Sequence, residues 1–211
     1  MQKLAIIGSG DLAGQIAHHA LATGKYIVVG FFDDFEEAGK QKFGKEVLGS
    51  CTDILELYNQ KKFDVLMMGI GYKHMPQRAS LFEKLSTAIP FATVIHPSVI
   101  VDSNSKIGIG VMIYPGTVVD MNCVIEDNVL LYTGCVVSHD VAIGAHTILS
   151  PGVTTSGFVK IGKRVNLGTA TAISDNIIIN DDIKTGVGSV VVENLINPGL
   201  YYGVPAKQEN K

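Results

Sequence analysis

Tryptophan is absent from this chain, and aromatic residues make up only 7% of its 211 positions. The core must therefore be built from aliphatic side chains, which a 46% apolar composition supplies in quantity for one large or two modest domains. Cysteine is scarce as well. Cys51, Cys123 and Cys135 form an odd set without any CxxC spacing, which argues against a disulfide framework. Basic charge shows no excess: 17 Lys and Arg stand against 20 Asp and Glu, a formal −3, so no positive field recruits nucleic acid. No stretch approaches the apolar length of a membrane span, so no membrane insertion is expected. Met1-Gln2-Lys3 runs directly into Leu4-Ala5-Ile6-Ile7-Gly8, which reads as a strand and not as a signal peptide. These absences lead to the expectation of a cytoplasmic protein with reduced thiols.

What is present is a period of six. From Ile95 the chain places an aliphatic residue at Val101, Ile107, Ile113, Val119, Ile125, Leu131, Val137, Ile143 and Leu149, then at Ile161, Leu167, Ile173, Ile179 and Val191. Only Thr155 and Thr185 break the aliphatic run, and no insertion shifts its phase. A second series lies four residues on, at Val99, Val111, Cys123, Val129, Val141, Val153, Val159, Val165, Ile177 and Ile183. A helix needs a period of 3.6 and a strand meander a period of 2, whereas a six-residue repeat marks a parallel β-helix. Three repeats close one triangular coil of about eighteen residues, so the array predicts five to six coils. Glycines beside the main position (Gly108, Gly144, Gly162, Gly168, Gly186) are expected to permit the corner angles. Cys123 and Cys135 fall in phase with the second series and should point inward.

The first third alternates strand and helix. Apolar runs at 3–8, 27–32 and 63–68 alternate with helical patterns, at 12–23 after the first and at 76–85 after the third, which predicts a small α/β unit with a parallel sheet. A polar loop containing Gly39, Gly44 and Gly49 is expected after the second strand, with Thr52 capping a short helix through Tyr58. The expected domains are 1–92 and 93–211. In such sheets ligands bind at the carboxyl ends of the strands, here the loops Gly8 to Ala13, Asp33-Asp34 and Gly69 to Arg78. A glycine turn entering a helix offers N–H groups to phosphate, and an acidic residue after the second strand accepts ribose hydroxyls. This pattern suggests a nucleotide ligand, although a tight turn with a helix cap would give the same signal.

Within the repeats only His139 and His146 are histidines well inside the array. His139 is followed by Asp140, and eighteen residues on, one coil away, lies Gly157. An imidazole beside a carboxylate, facing a backbone without a side chain, meets the minimum need of thioester aminolysis: a base, its support and an oxyanion donor. A solvated corner histidine is the plain alternative.

The stretch Ser138-His139-Asp140, Ile143-Gly144, Pro151-Gly152-Val153, Gly157, Lys160-Ile161-Gly162 and Leu167-Gly168, closing on Gly203-Val204-Pro205-Ala206-Lys207, resembles the bacterial sugar acetyltransferases with hexapeptide repeats. These comprise N-acetyltransferases of 4-amino-sugar nucleotides and related sialic-acid O-acetyltransferases. The resemblance implies an α/β Rossmann-like N-terminal domain and a left-handed parallel β-helix. It implies His139 as general base, Asp140 as its support and the Gly157 N–H as oxyanion donor. Backbone near Thr169 and Val187 would line the groove for acetyl-CoA, a co-substrate, with no bound cofactor or metal. Gly10, Asp11, Leu12, Asp33, Asp34 and Gly71 would hold the nucleotide sugar or sugar acid, and a homotrimer is expected. Asp11 and Ala13 stand where the family's first loop usually has glycines, and Ile148 where many members place a second histidine. O-acetylation of a sialic-acid-like sugar and a non-catalytic nucleotide-binding scaffold remain the alternatives. A zinc carbonic anhydrase, which shares the β-helix, would need a trio of histidine ligands that the array does not offer.

Overall fold

The computed structural model describes residues 1–209. Positions 210–211, the end of the expected second domain, lie outside the described residues. The chain divides into two compact units, Met1–His96 and Pro97–Lys211. Thr93 goes with the first unit, where its carbonyl accepts a hydrogen bond from the Tyr26 hydroxyl at 3.2 Å.

The first unit contains β1 (Gln2–Ile7), α1 (Asp11–Ala22), β2 (Tyr26–Phe32), β3 (Gln41–Lys42), β4 (Lys45–Gly49), α2 (Ile54–Asn59), β5 (Val65–Met68), a 3₁₀ turn at Tyr72–His74, α3 (Met75–Ser86) and β6 (Val94–Ile95). Its sheet runs β3-β4-β2-β1-β5, with β4, β2, β1 and β5 parallel and β3 antiparallel to β4. Leu4 to Ile7 are all fully buried, as expected of a central parallel strand covered on both faces. Because β2 and β5 flank β1 on opposite sides, the strand order reverses at β1, and the loops after β1 and β5 open a crevice there. Two local expectations are corrected. The supposed polar loop holds the β3–β4 hairpin; Lys45-Glu46 and Gly49 mask β4, whose Val47 alone is a buried large apolar residue. The N-cap of α2 is Asp53, not Thr52: the Thr52 hydroxyl pairs with the Ser50 hydroxyl at 2.7 Å, while Asp53 Oδ2 accepts the Ser50 N–H at 2.7 Å.

The second unit is a left-handed parallel β-helix. Two-residue strands recur from Ile100–Val101 to Ile178–Ile179 and on to Val190–Val191, and each pairs with the strand eighteen residues away, as in Val118↔Val136 and Val119↔Val137. From Ile113 to Val191 every member of the six-residue series is buried, Thr155 and Thr185 included. From Val111 to Ser189 the second series is buried too. Where it lacks an aliphatic residue it has Thr117, Cys135, Thr147, Thr171 or Ser189, all wholly buried. Their hydroxyls are satisfied by corner carbonyls: Thr147 donates to Gly162 O at 2.8 Å and Ser189 to Gly186 O at 2.8 Å.

The glycine expectation needs a correction. The left-handed backbone lies three places after the inward aliphatic residue, at Gly116 (φ 73°), Gly134 (φ 71°) and Gly152 (φ 71°), but also at Asn122, Asp140 and Phe158 (each φ 59°). Glycines directly after the aliphatic residue serve close approach instead. A Cβ on Gly144 would lie 2.6 Å from the Gly162 carbonyl carbon, and one on Gly168 2.6 Å from Thr185 O. Beyond the last coil, Gly199–Tyr202 pairs in parallel with Ile183–Thr185, and Lys207–Gln208 returns antiparallel to it. This hairpin extends the sheet past the final coil.

Candidate active site

The chemistry-bearing corner of the β-helix is built by the repeat itself. His139 and Asp140 are the second and third residues after the strand Val136–Val137, and Asp140 takes the left-handed position. Asp140 N–H donates to Met121 O one coil away at 3.0 Å, which locks the turn. His139 Nδ1 lies 2.9 Å from Asp140 Oδ2. An ionised carboxylate can only accept, so Nδ1 carries the proton and Nε2 presents a lone pair. Asn122, eighteen residues before Asp140, donates to its Oδ1 at 3.3 Å.

Gly157 faces the ring. A Cβ there would sit 2.5 Å from His139 Cε1 and 2.6 Å from Nε2, so glycine is the one residue that leaves the imidazole its place. The neighbouring Phe158 N–H is engaged by His139 O at 3.2 Å, and Ser156 N–H by Ile173 O at 2.9 Å. Among the described residues the Gly157 N–H meets no acceptor. Phe158 packs edge-on against the imidazole, with ring centroids 5.1 Å apart, and is half exposed. The result is a partly exposed base, a fixed tautomer and a free N–H beside it.

In the first unit the loops after β1, β2 and β5 line one cleft of about 510 Å³, which includes Gly10, Asp33, Asp34 and Gly71. That is the size range of small-molecule sites. The two carboxylates are used differently. Asp33 Oδ2 accepts from the Ser9 N–H (2.9 Å) and the Ser9 hydroxyl (2.7 Å), and its Oδ1 from the Phe35 N–H (2.9 Å). Asp33 thus ties the first loop to the second. Asp34 is exposed and accepts only the Cys51 N–H among backbone donors, through Oδ1 at 2.7 Å, which leaves lone pairs for a ligand. Burial and then the Asp34 carboxylate push the Cys51 thiol up to about 12. Behind this lining the fully buried Arg78, which does not itself line the cleft, donates to Ile70 O at 2.8 Å and braces the Gly69–Gly71 loop.

Two protein families match the chain: the PglD N-terminal domain over residues 3–85, and the bacterial transferase hexapeptide (six repeats) over residues 122–157. One family model thus matches each of the two units of the chain. No curated protein sequence matches it. Among solved structures it is similar to a histidine-to-asparagine variant of perosamine N-acetyltransferase from Caulobacter crescentus, in complex with CoA and GDP-perosamine. Identity is 28%, the TM-score 0.93, and the match covers 100% of this chain and 98% of the other. It is also similar to the acetyltransferase domain of PglB from Neisseria gonorrhoeae in complex with acetyl coenzyme A, at 28% identity and a TM-score of 0.90 over 99% of each chain.

In this transferase the remaining expected residues are placed as follows. Thr169 and Val187 stack one coil apart on another corner, where the Gly188 N–H donates to Thr169 O at 2.8 Å; both are exposed, Val187 at 79%. Asp11 opens α1 but lines a separate hollow with Gly14, His18 and Phe43, away from the cleft of Gly10 and Gly71. Leu12 does not line that cleft either, although its side chain reaches toward Gly71. His146 occupies a different corner, buried, with its Nδ1 3.0 Å from Asn128 Nδ2, and Ile148 is fully buried. Cys123 and Cys135 point inward, donating to Ser138 O at 3.0 Å and Ser150 O at 3.3 Å; burial raises both thiols, Cys135 to about 12. Among the described residues no cluster of three or more His, Cys, Asp or Glu is arranged to hold a metal, and no helix is long and apolar enough to cross a membrane. Sequence reasoning passed over Asn122, Ser9 and Phe158. The first was legible, because it lies one coil from Asp140 by the same eighteen-residue step that pairs His139 with Gly157.

Proposed function

We propose that this protein transfers the acetyl group of acetyl-CoA directly to the amine of a nucleotide-linked amino sugar. The observation that carries the reading is His139, held by Asp140 and seated under Gly157, in a chain similar over its whole length to an N-acetyltransferase solved with CoA and GDP-perosamine. The neutral amine attacks the thioester carbonyl while His139 Nε2 takes its proton. The charge on the carbonyl oxygen is met by the Gly157 N–H. As the tetrahedral intermediate collapses, the C–S bond breaks and the imidazolium returns the proton to the departing sulfur. The products are the sugar amide and free CoA thiol. Neither inward cysteine takes part, so transfer proceeds in a ternary complex.

The acceptor's nucleotide portion occupies the cleft at Gly10, Asp33, Asp34 and Gly71, with Asp34 the carboxylate that meets the ligand. The exposed corner at Thr169 and Val187 supplies the acetyl-CoA groove of a neighbouring subunit in a cyclic homotrimer. Thiol release tests the reading. Nucleotide-linked amino sugars and sialic acids are offered with acetyl-CoA, and release should appear with an amino-sugar nucleotide and yield the N-acetyl product. Release with hydroxyl acceptors alone would overturn the amine, and ping-pong kinetics would overturn direct transfer.

A further inference from the structure

An exposed phenyl ring is ordinary on a protein surface, but Phe35 is 96% exposed at the wall of a ligand cleft and its backbone is held fast. Its N–H is bonded to Asp33 Oδ1, and the other Asp33 oxygen is bonded twice to Ser9, a buried residue of the cleft floor. The ring therefore projects from a clamped backbone on the rim of the cleft. Next to it stands Asp34, with lone pairs free for an N–H donor. The glycine turn at Gly8 to Gly10, entering the twelve-residue α1, lines the same cleft and suits a phosphate. A flat group with an N–H edge, joined to a diphosphate, is the chemistry that uses all three.

We propose that Phe35 is the stacking platform for the nucleobase of the acceptor, with Asp34 reading the N–H edge of that base. This rests on the nucleotide-sugar reading above and adds to it the residue that distinguishes a nucleoside diphosphate from a bare diphosphate. Aromatic stacking on a base is worth a factor of about 5 to 150 in affinity. The ring is solvent-exposed, so its replacement leaves the fold intact.

The test is calorimetric titration of the full-length protein with GDP, UDP, ADP and inorganic pyrophosphate, in the native form and as Phe35→Leu and Phe35→Trp. The native protein should bind its best nucleoside diphosphate at least about tenfold more tightly than pyrophosphate. Phe35→Leu, which keeps the apolar bulk but loses the π face, should remove most of that difference, and Phe35→Trp should preserve it. By NMR the bound base protons should show upfield ring-current shifts that vanish in Phe35→Leu. Equal nucleotide affinity in Phe35→Leu overturns the platform, as does a native protein that does not prefer nucleoside diphosphates to pyrophosphate. A Phe35→Leu protein that changes oligomeric state with nucleotide affinity intact assigns the ring to a subunit contact and overturns it too. Thiol release separates the two readings. If native protein acetylates a nucleotide sugar while Phe35→Leu keeps its KM, only the platform falls; if no nucleotide sugar is acetylated and no nucleotide binds, the functional reading falls as well.

Discussion

At the residue scale, the proposed catalysis depends on one imidazole whose position is set by a missing side chain. Losing a general base typically costs about 10²–10⁴ in rate, so His139→Ala should lower kcat by that range with little change in acetyl-CoA affinity. Asp140→Asn should cost less, since it keeps an acceptor at Nδ1 but loses the charge. Steady-state kinetics with both substrates decide this: near-native kcat in His139→Ala would place the base elsewhere. Gly157→Ala is the sharper variant, because it leaves every polar group in place and puts a methyl 2.5 Å from the His139 ring. It should lower kcat at least about tenfold, roughly 1.4 kcal/mol, while melting within a few degrees of the native protein. A fully active Gly157→Ala would mean the ring has another working position. The acidic pair offers a third contrast. Asp34→Ala should raise the acceptor KM about tenfold or more with the melting temperature little changed. Asp33→Ala removes the acceptor of three hydrogen bonds and should lower the melting temperature as well. Equal behaviour of the two would refute the division of roles.

At the element scale, each coil is held by its inward aliphatic stack and by hydroxyls that close the corners. Thr147 shows the second device plainly. It is fully buried, donates to Gly162 O at 2.8 Å and accepts the Val165 N–H at 3.0 Å. Thr147→Val keeps the shape but leaves a part-buried carbonyl and a buried N–H without their partner, at a cost of about 2–4 kcal/mol. Urea denaturation should show this as a lower midpoint, with faster amide exchange in the adjoining coils, because each coil of a solenoid leans only on its neighbours. A shift below about 0.5 kcal/mol would show that water replaces both partners.

At the scale of the whole molecule, the β-helix leaves apolar side chains outside. Ile100, Val124, Val136 and Ile178 stand on its outer faces, each at least 40% exposed. The proposed homotrimer would cover part of that surface and bring Thr169 and Val187 of one subunit to His139 of another. Light scattering should give three times the chain mass, and activity should fall on dilution below the trimer's dissociation range. An active monomer would refute the shared site. Mixing inactive His139→Ala protein with a variant disrupted at Val187 should restore partial activity if the site is shared, and none if each chain is self-contained.

The six-residue period by itself determined the β-helix, because a stack of identical coils repeats the same demand for an inward aliphatic residue every sixth place. The same arithmetic linked His139 to Gly157 and would have linked Asn122 to Asp140, since one coil is always eighteen residues. Alternation of strand and helix likewise determined the parallel sheet and the three loops at its carboxyl end. Sequence did not separate the roles of Asp33 and Asp34, which are adjacent and chemically identical. Only the fold brings Ser9 and Phe35 to one carboxylate and leaves the other exposed with the Cys51 N–H as its backbone donor. Nor did it find β4, whose single buried large apolar residue gives no periodicity, or send Asp11 to another hollow, which depends on the direction of α1's first turn. The glycines beside each inward aliphatic residue looked like conformational devices and prove to be spacers. Their φ angles are ordinary, and what excludes a methyl group there is the backbone of the next coil, a neighbour that exists only once the chain has wound around.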